Sequence, residues 1–294
     1  MDIIKTNRNH KDRLFRFIFN EPKHLLELYN AINGTDYTDE RDLEINTLDD
    51  IIYMKMKNDL SFIIDGTLNV YEHQSSYNPN MPLRGLMYMS DLIRKIIKDK
   101  NIYGSKLIKI PTPCYIVFYN GDKESEDREI QRLSDAFETK CEFACIEFTS
   151  LMLNINYGAN NELMSRCNRL RGYSEFVQYV KGNAEKMELD MAVDLAIKKC
   201  IELDNPISDI LRNHRAEVIN MTLTEYDEAK VMEMFKEEGR EEGREEGREE
   251  GKAEGEIEGM KRIIKSLYKS EMSVEEIARV TGIELELVKE YISE

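Results

Sequence analysis

The chain has 294 residues, with 57 Asp and Glu against 41 Lys and Arg, and a formal net charge of −16. Its 41% hydrophobic content supplies a core for one domain of about 200 residues plus a small appendage, under a surface made heavily charged by 33% charged residues. The acidity argues against a general phosphate binder. The lack of any run of 18 apolar residues excludes a transmembrane helix, and MDIIKTNRNHKDR has no apolar signal core, so a cytoplasmic protein without membrane association is expected.

Residues 10–33 read as a helix pair or one broken helix. Leu14, Phe15, Ile18 and Phe19 recur at helical spacing, as do Leu25, Leu28, Tyr29 and Ile32. Pro22 suits a first turn, and Asn33-Gly34 is a stop. Strands are predicted near 51–57, 60–64 and 67–73, and Asp65-Gly66 between the last two is a strong hairpin signal. Met81-Pro82-Leu83 opens a helix to about Lys98, with Leu83, Leu86, Met87, Ser90, Ile93 and Ile97 along one side. The run 114–119, CYIVFY, ending in Asn120-Gly121, has the pattern of a buried central strand, and 146–155 gives another. Helices are expected from 160 to 215, so the domain is mixed α/β.

After 217 the character changes. Glycines at 239, 243, 247, 251, 255 and 259 mark a Gly/Glu/Arg repeat of period four. Glu and Arg at this spacing favour a helix, while each Gly disfavours it by up to about 1 kcal/mol. A charged linker over 217–259, a marginal solvated helix or a flexible spacer, is expected. In 260–294, Met260, Ile263, Ile264 and Leu267 form one helical face. Ser273 and Glu276 then form a capping box leading into Ile277 and Val280, Gly282 is a stop, and Leu285, Val288, Tyr291 and Ile292 mark a last helix. These are helix–turn–helix proportions, but Glu284, Glu286 and Glu290 suit a packing or oligomerising module better than a groove reader. The five cysteines, 114, 141, 145, 167 and 200, read as reduced, mostly buried thiols. Cys141 and Cys145 lack a second pair or a nearby His to complete a zinc site. No phosphate loop, dinucleotide fingerprint or nucleophile elbow is present, so no organic cofactor is expected.

The hairpin carries the chemistry. If Asp65-Gly66 is a two-residue turn, paired residue numbers sum to 131, so Ser61 faces Val70 and Asp59 faces Glu72. Alternation then puts Asp59, Ser61, Ile63, Leu68, Val70, Glu72 and Gln74 on one face. Directly opposed carboxylates repel, and a divalent cation would resolve the conflict. The same spacing also accommodates Asp59 as a turn residue and Glu72 as a solvating charge.

Asn58-Asp59-Leu60-Ser61-Phe62, Tyr71-Glu72-His73-Gln74-Ser75 and Asn78-Pro79-Asn80-Met81-Pro82-Leu83-Arg84 resemble the Rpn family of transposase-like, recombination-promoting nucleases, in the PD-(D/E)XK superfamily. Ile110-Pro111-Thr112-Pro113, Val117-Phe118-Tyr119-Asn120-Gly121 and Leu153-Asn154-Ile155-Asn156 are similar too, as is the charged repeat before a short helical tail. The resemblance implies a restriction-endonuclease-like core: a helix, a three-stranded meander, a helix and a further strand in a mixed central sheet flanked by helices. It makes 1–216 the nuclease-like domain, 217–259 the linker and 260–294 the small helical module. Asp59 and Glu72 correspond to its metal ligands for Mg²⁺ or another divalent cation, and Gln74 falls where the family pattern has Lys. Gln can orient a water but brings no positive charge. Glu27, on the first helix, is a candidate extra metal ligand or a solvent-facing Glu. His73 is expected to face away from Glu72 and give packing or polar support. Arg84 is a candidate phosphate contact, or a salt bridge that orders the site. Lys55 and Lys57, in phase with Asp59, are candidates to line a nucleic-acid path.

The function so implied is a Mg²⁺-dependent DNA endonuclease, with catalytic Asp59, Glu72 and Gln74, working as a homodimer in recombination, mobile-element or defence biology. The alternative is a catalytically inactive binding or regulatory protein on the same fold that associates through its C-terminal helices. The charge distribution bears on both. Residues 1–111 hold 16 basic and 16 acidic residues, whereas 217–294 hold 12 and 23. Most of the acidity therefore lies outside the expected site.

Overall fold

The computed structural model describes residues 14–45, 60–139, 141 and 143–293. Two compact units are present, Met1–Ala229 and Lys230–Glu294.

The first unit opens with α1 (Leu14–Phe19) and α2 (Pro22–Asn33). Pro22 occupies the first turn of α2, and Gly34 ends it in the left-handed conformation, φ 68°, where a residue without Cβ carries no steric penalty. Strands β1 (Glu44–Ile45), β2 (Leu60–Ile64) and β3 (Thr67–Gln74) form an antiparallel meander. Helix α3 (Met81–Ile96) leads to β4 (Thr112–Tyr119), which lies parallel to β3. Strand β6 (Thr149–Asn154) is parallel to β4, and β5 (Arg128–Arg132) is antiparallel to β6 at the edge. The mixed sheet runs β1-β2-β3-β4-β6-β5 and is flanked by helices, as an α/β chain requires to cover both apolar faces.

The hairpin register is the expected one. Ile64 pairs with Thr67, Ile63 with Leu68 and Ser61 with Val70, through Leu60 with Tyr71. Asp65 (φ 47°) and Gly66 (φ 70°) both take positive φ, the twist that a two-residue hairpin turn demands. The predicted strand near 51–57 lies outside the described residues. Strand β5 was not anticipated from REIQR, because an edge strand buries little; of its side chains only Gln131 is buried.

Each face of the sheet has its own core. One joins Phe62, Ile64, Tyr71, Phe118 and Leu153 to α1, α2 and the later helices α4 (Asn161–Arg166), α5 (Asn168–Ala184), α6 (Leu189–Glu202) and α7 (Ser208–Asn213). The other joins Leu68, Val70, Tyr115, Val117 and Met152 to α3.

Helix α3 buries a different side from the one expected. Met81, Gly85, Tyr88, Met89 and Leu92 face the sheet, while Leu83, Met87 and Ser90 are exposed. Gly85 decides the matter: a Cβ there would lie 2.5 Å from Tyr115 Cδ1 and 2.6 Å from Phe148 Cε1, so the helix approaches the sheet along its glycine.

Helix α8 (Arg215–Lys269) takes in the whole Gly/Glu/Arg repeat. Its first turns are not linker. Val218 and Thr222 are buried, Ile219, Leu223 and Tyr226 pack on the first unit's core, and Glu225 Oε1 accepts the Leu14 N–H at 2.9 Å. The first unit therefore extends past residue 216 to Ala229.

In the second unit, α9 (Val274–Thr281) carries the expected capping box between Ser273 and Glu276 and ends at Gly282, φ 72°. Helix α10 (Leu285–Ser293) follows. Among the described residues of this unit, Ile264, Ile277 and Val288 are fully buried, with Leu267, Ala278 and Tyr291 packed around them.

The cysteines depart from the reading as mostly buried packing thiols at two positions. Cys167 and Cys200 are buried and Cys114 is intermediate, but Cys141 and Cys145 are exposed. They lie outside helix and strand, in the segment between β5 and β6.

Candidate functional site

Glu72 lies on β3, hydrogen-bonded between β2 and β4, with Val117 as its β4 partner. Both its neighbouring strand and α3 cover it, and the residue is only 1% exposed. A charge buried so deeply requires a countercharge and hydrogen bonds. Helix α3 provides one. Arg84, in its first turns, donates from Nη2 to Glu72 Oε1 at 2.7 Å and to Tyr88 Oη at 3.0 Å. Burial works against the Arg84 cation, but the Glu72 carboxylate and Tyr88 more than offset it, and the guanidinium pKa lies above its ordinary value. Gln74, two residues along β3 on the same face, donates from Nε2 to the same Glu72 Oε1 at 3.1 Å. The structure thus brings Glu72, Gln74 and Arg84 together. Arg84 is engaged as the ion-pair partner of Glu72, the second of the two roles weighed for it.

The segment between β3 and α3 is pinned to the far edge of the sheet. Tyr77 Oη donates to Glu129 Oε1 at 2.9 Å, and Gln131 Nε2 donates to the Asn78 carbonyl at 3.4 Å. Lys123 Nζ lies 3.3 Å from the centroid of the Tyr77 ring. Beyond β4, a Cβ on Gly121 would lie 2.5 Å from the Ser75 carbonyl oxygen, so the chain leaving β4 passes directly against the chain leaving β3.

His73 points to the opposite face. Its ring stacks on Phe15 at 5.3 Å between centroids, and its Nε2 lies 3.0 Å from Tyr173 Oη, which also accepts from Asn120 Nδ2 at 3.3 Å. It is a packed, hydrogen-bonded core residue.

Glu27 lies elsewhere. Its Oε1 accepts the backbone N–H of Asn168 at 3.0 Å, at the N-terminus of α5, where a carboxylate is favoured by the helix's unpaired N–H groups. It sits on α2, whose apolar side packs on the sheet face opposite Glu72. Asp59, Lys55 and Lys57 lie outside the described residues. Among the described residues, no three His, Cys, Asp or Glu side chains are grouped to hold a metal.

Tyr88 was missed from the sequence. Its signal was its position one turn after Arg84 on the same helix, which puts both side chains over one strip of sheet. The anchoring pair Tyr77–Glu129 had none, because it joins residues 52 apart across an unforeseen strand.

Comparisons with models of protein families, with curated proteins and with solved structures found no match.

Proposed function

We propose that the chain is a divalent-metal-dependent DNA endonuclease on a restriction-endonuclease-like core. The observation that carries the reading is the buried Glu72 carboxylate beside Gln74 on the α3-facing side of a central strand. The order of helix, antiparallel meander, helix and parallel strand supports it, as does the resemblance of the Glu72-His73-Gln74 stretch. Asp59, the other acidic residue of the resemblance, is the second metal ligand in this proposal.

The donor chemistry fits the cation: Glu72 offers carboxylate oxygens, the hard donors that Mg²⁺ takes. Bound Mg²⁺ supplies charge stabilisation at a scissile phosphate and an acidified water. Glu72 and Asp59 hold the cation and Gln74 orients water. Arg84, donating to Glu72 Oε1 at 2.7 Å, fixes the direction in which that carboxylate points. The test is nicking of supercoiled plasmid with Mg²⁺ and with chelator. Cleavage that depends on metal and is abolished in Asp59→Ala and Glu72→Ala is expected; variants that cut as well as wild type would refute the assignment.

One observation favours a second reading, a catalytically silent binding protein. Arg84 and Gln74 both donate to Glu72 Oε1, so the carboxylate has its countercharge within the protein itself. On that reading calorimetry detects no Mg²⁺ binding, and Glu72→Gln leaves the protein's function intact.

A further inference from the structure

Residues 94–109 contrast with the rest of this acidic chain. They hold Arg94, Lys95, Lys98, Lys100, Lys106 and Lys109 against Asp99 alone, a net of +5 within a chain of −16. They form the last turn of α3 and the loop into β4, and all six basic residues are exposed. Arg94 pairs with Asp91 at 2.7 Å. Among the described residues no carboxylate forms an ion pair with Lys98, Lys106 or Lys109. Lys98, Lys100, Lys106 and Lys109 stand exposed on one short segment, and like charges gathered in this way repel unless an anion is present, so this surface suits a polyanion.

The loop also displays an aromatic ring. Tyr103 is 93% exposed at the tip of a tight turn in which its own N–H donates to Asn101 Oδ1 at 3.1 Å and the Gly104 N–H to the Asn101 carbonyl at 3.2 Å. Lys100 Nζ donates to the Lys109 carbonyl at 3.4 Å, tying the two sides of the loop together. The ring is therefore held outward by its backbone, between Lys100 and Lys106. Lysines flanking an exposed ring form a platform for a single strand, with phosphates on the ammonium groups and a base on the ring.

We propose that residues 94–109 bind a nucleic-acid strand, with Lys98, Lys100, Lys106 and Lys109 on its phosphates and Tyr103 stacked on an unpaired base. The proposal deepens the nuclease reading, and rests on it for preferring nucleic acid to an anionic membrane. The same α3 that carries Arg84 against Glu72 carries the basic segment at its other end. Eleven residues of helix separate Arg84 from Lys95, ~16 Å at about 1.5 Å per residue, or roughly five nucleotides of strand. On this proposal a strand seated on the loop runs along α3 toward the end that carries Arg84.

The test is fluorescence anisotropy of a labelled oligothymidylate with the full-length chain in chelator, where binding is read without cleavage. Replacing Lys98, Lys100, Lys106 and Lys109 together by Gln is expected to weaken binding by roughly tenfold or more at low salt and to lower the salt slope by about three. Tyr103→Ala is expected to weaken it about tenfold with the slope unchanged. All five side chains are exposed, so both variants should melt like wild type. Wild type that does not bind, a quadruple variant with wild-type affinity and slope, or an unchanged Tyr103→Ala overturns the proposal. So does lysine-dependent binding to phosphatidylserine vesicles without binding to the oligonucleotide. Plasmid cleavage is scored separately: lysine-dependent binding without Mg²⁺-dependent cleavage strikes the nuclease reading alone, and cleavage with lysine-independent binding strikes this proposal alone.

Discussion

Glu72 and Arg84 are the residues on which the site depends, because each makes the other tolerable. The carboxylate is almost wholly buried and the guanidinium keeps partial access to solvent. Removing one member of a buried pair strands the other's charge. Arg84→Ala should therefore lower stability by about 3 kcal/mol in urea unfolding, and adding Glu72→Gln should recover part of that loss, giving a non-additive double-mutant cycle. Additive losses would show that the pair is not the coupled unit. The thiols offer a second residue-scale test. Burial pushes Cys167 and Cys200 up to about 12 and also raises Cys114. A raised thiol pKa favours the unreactive protonated form, so near neutral pH these three should resist a thiol reagent. Cys141 and Cys145, both exposed, should react at once. Two fast thiols in the native protein and five after denaturation are expected; fast labelling of Cys167 or Cys200 would contradict their burial.

At the scale of elements, α3 and α9 show two kinds of control. Helix α3 is seated by an absent side chain: Gly85→Ala drives a Cβ into the Tyr115 and Phe148 rings. Overpacking of this kind costs about 1–3 kcal/mol, and because Arg84 is the adjacent residue the proposed endonuclease activity should fall with it. Wild-type melting and cleavage in Gly85→Ala would show that the rings give way freely. Helix α9 is set by its cap, where Ser273 Oγ accepts the Glu276 N–H at 3.3 Å and Glu276 Oε2 accepts from the Ser273 backbone at 3.1 Å. The Ser273 hydrogen bond holds the Glu276 carboxyl below its usual pKa. Ser273→Ala should lose about 1 kcal/mol of stability in the second unit, read from hydrogen exchange of α9. The capping box was legible beforehand because it is a local pattern of four residues. The buried side of α3 was not, because apolar residues lie on both its sides and the choice between them is made by Tyr115 and Phe148, far along the chain.

Across the whole molecule, charge and packing set where the chain can be divided. The acidic repeat and tail are expected to oppose nucleic acid, so their removal should raise affinity at low salt, with the difference shrinking as salt screens it. The position of the cut matters. Ending the chain at residue 216 would remove Val218 and Thr222 from the core and the Glu225 acceptor from Leu14. Ending it at residue 229 keeps them. A chain of residues 1–229 is expected to melt cooperatively and bind the oligonucleotide more tightly than the full chain, whereas 1–216 should be markedly less stable. Equal affinity of 1–229 and the full chain would show that the tail's charge is not felt at the binding surface.

What the sequence determined alone is what local chemistry determines. Asp65-Gly66 specifies a two-residue turn, and with it a register in which every described pair sums to 131 and Glu72 and Gln74 share a face. Pro22 and Gly34 bound α2, Ser273 and Gly282 bound α9, and a continuous apolar run makes β4 a central strand. Only the tertiary structure decided the rest: that Arg84 pairs with Glu72, that Glu27 caps α5 on the other side of the sheet, that β5 anchors the segment before α3, and that α8 belongs to the core for its first turns. Each joins residues distant in sequence, where the partner of a charge or of an apolar face is chosen by how layers pack and leaves no periodicity to read.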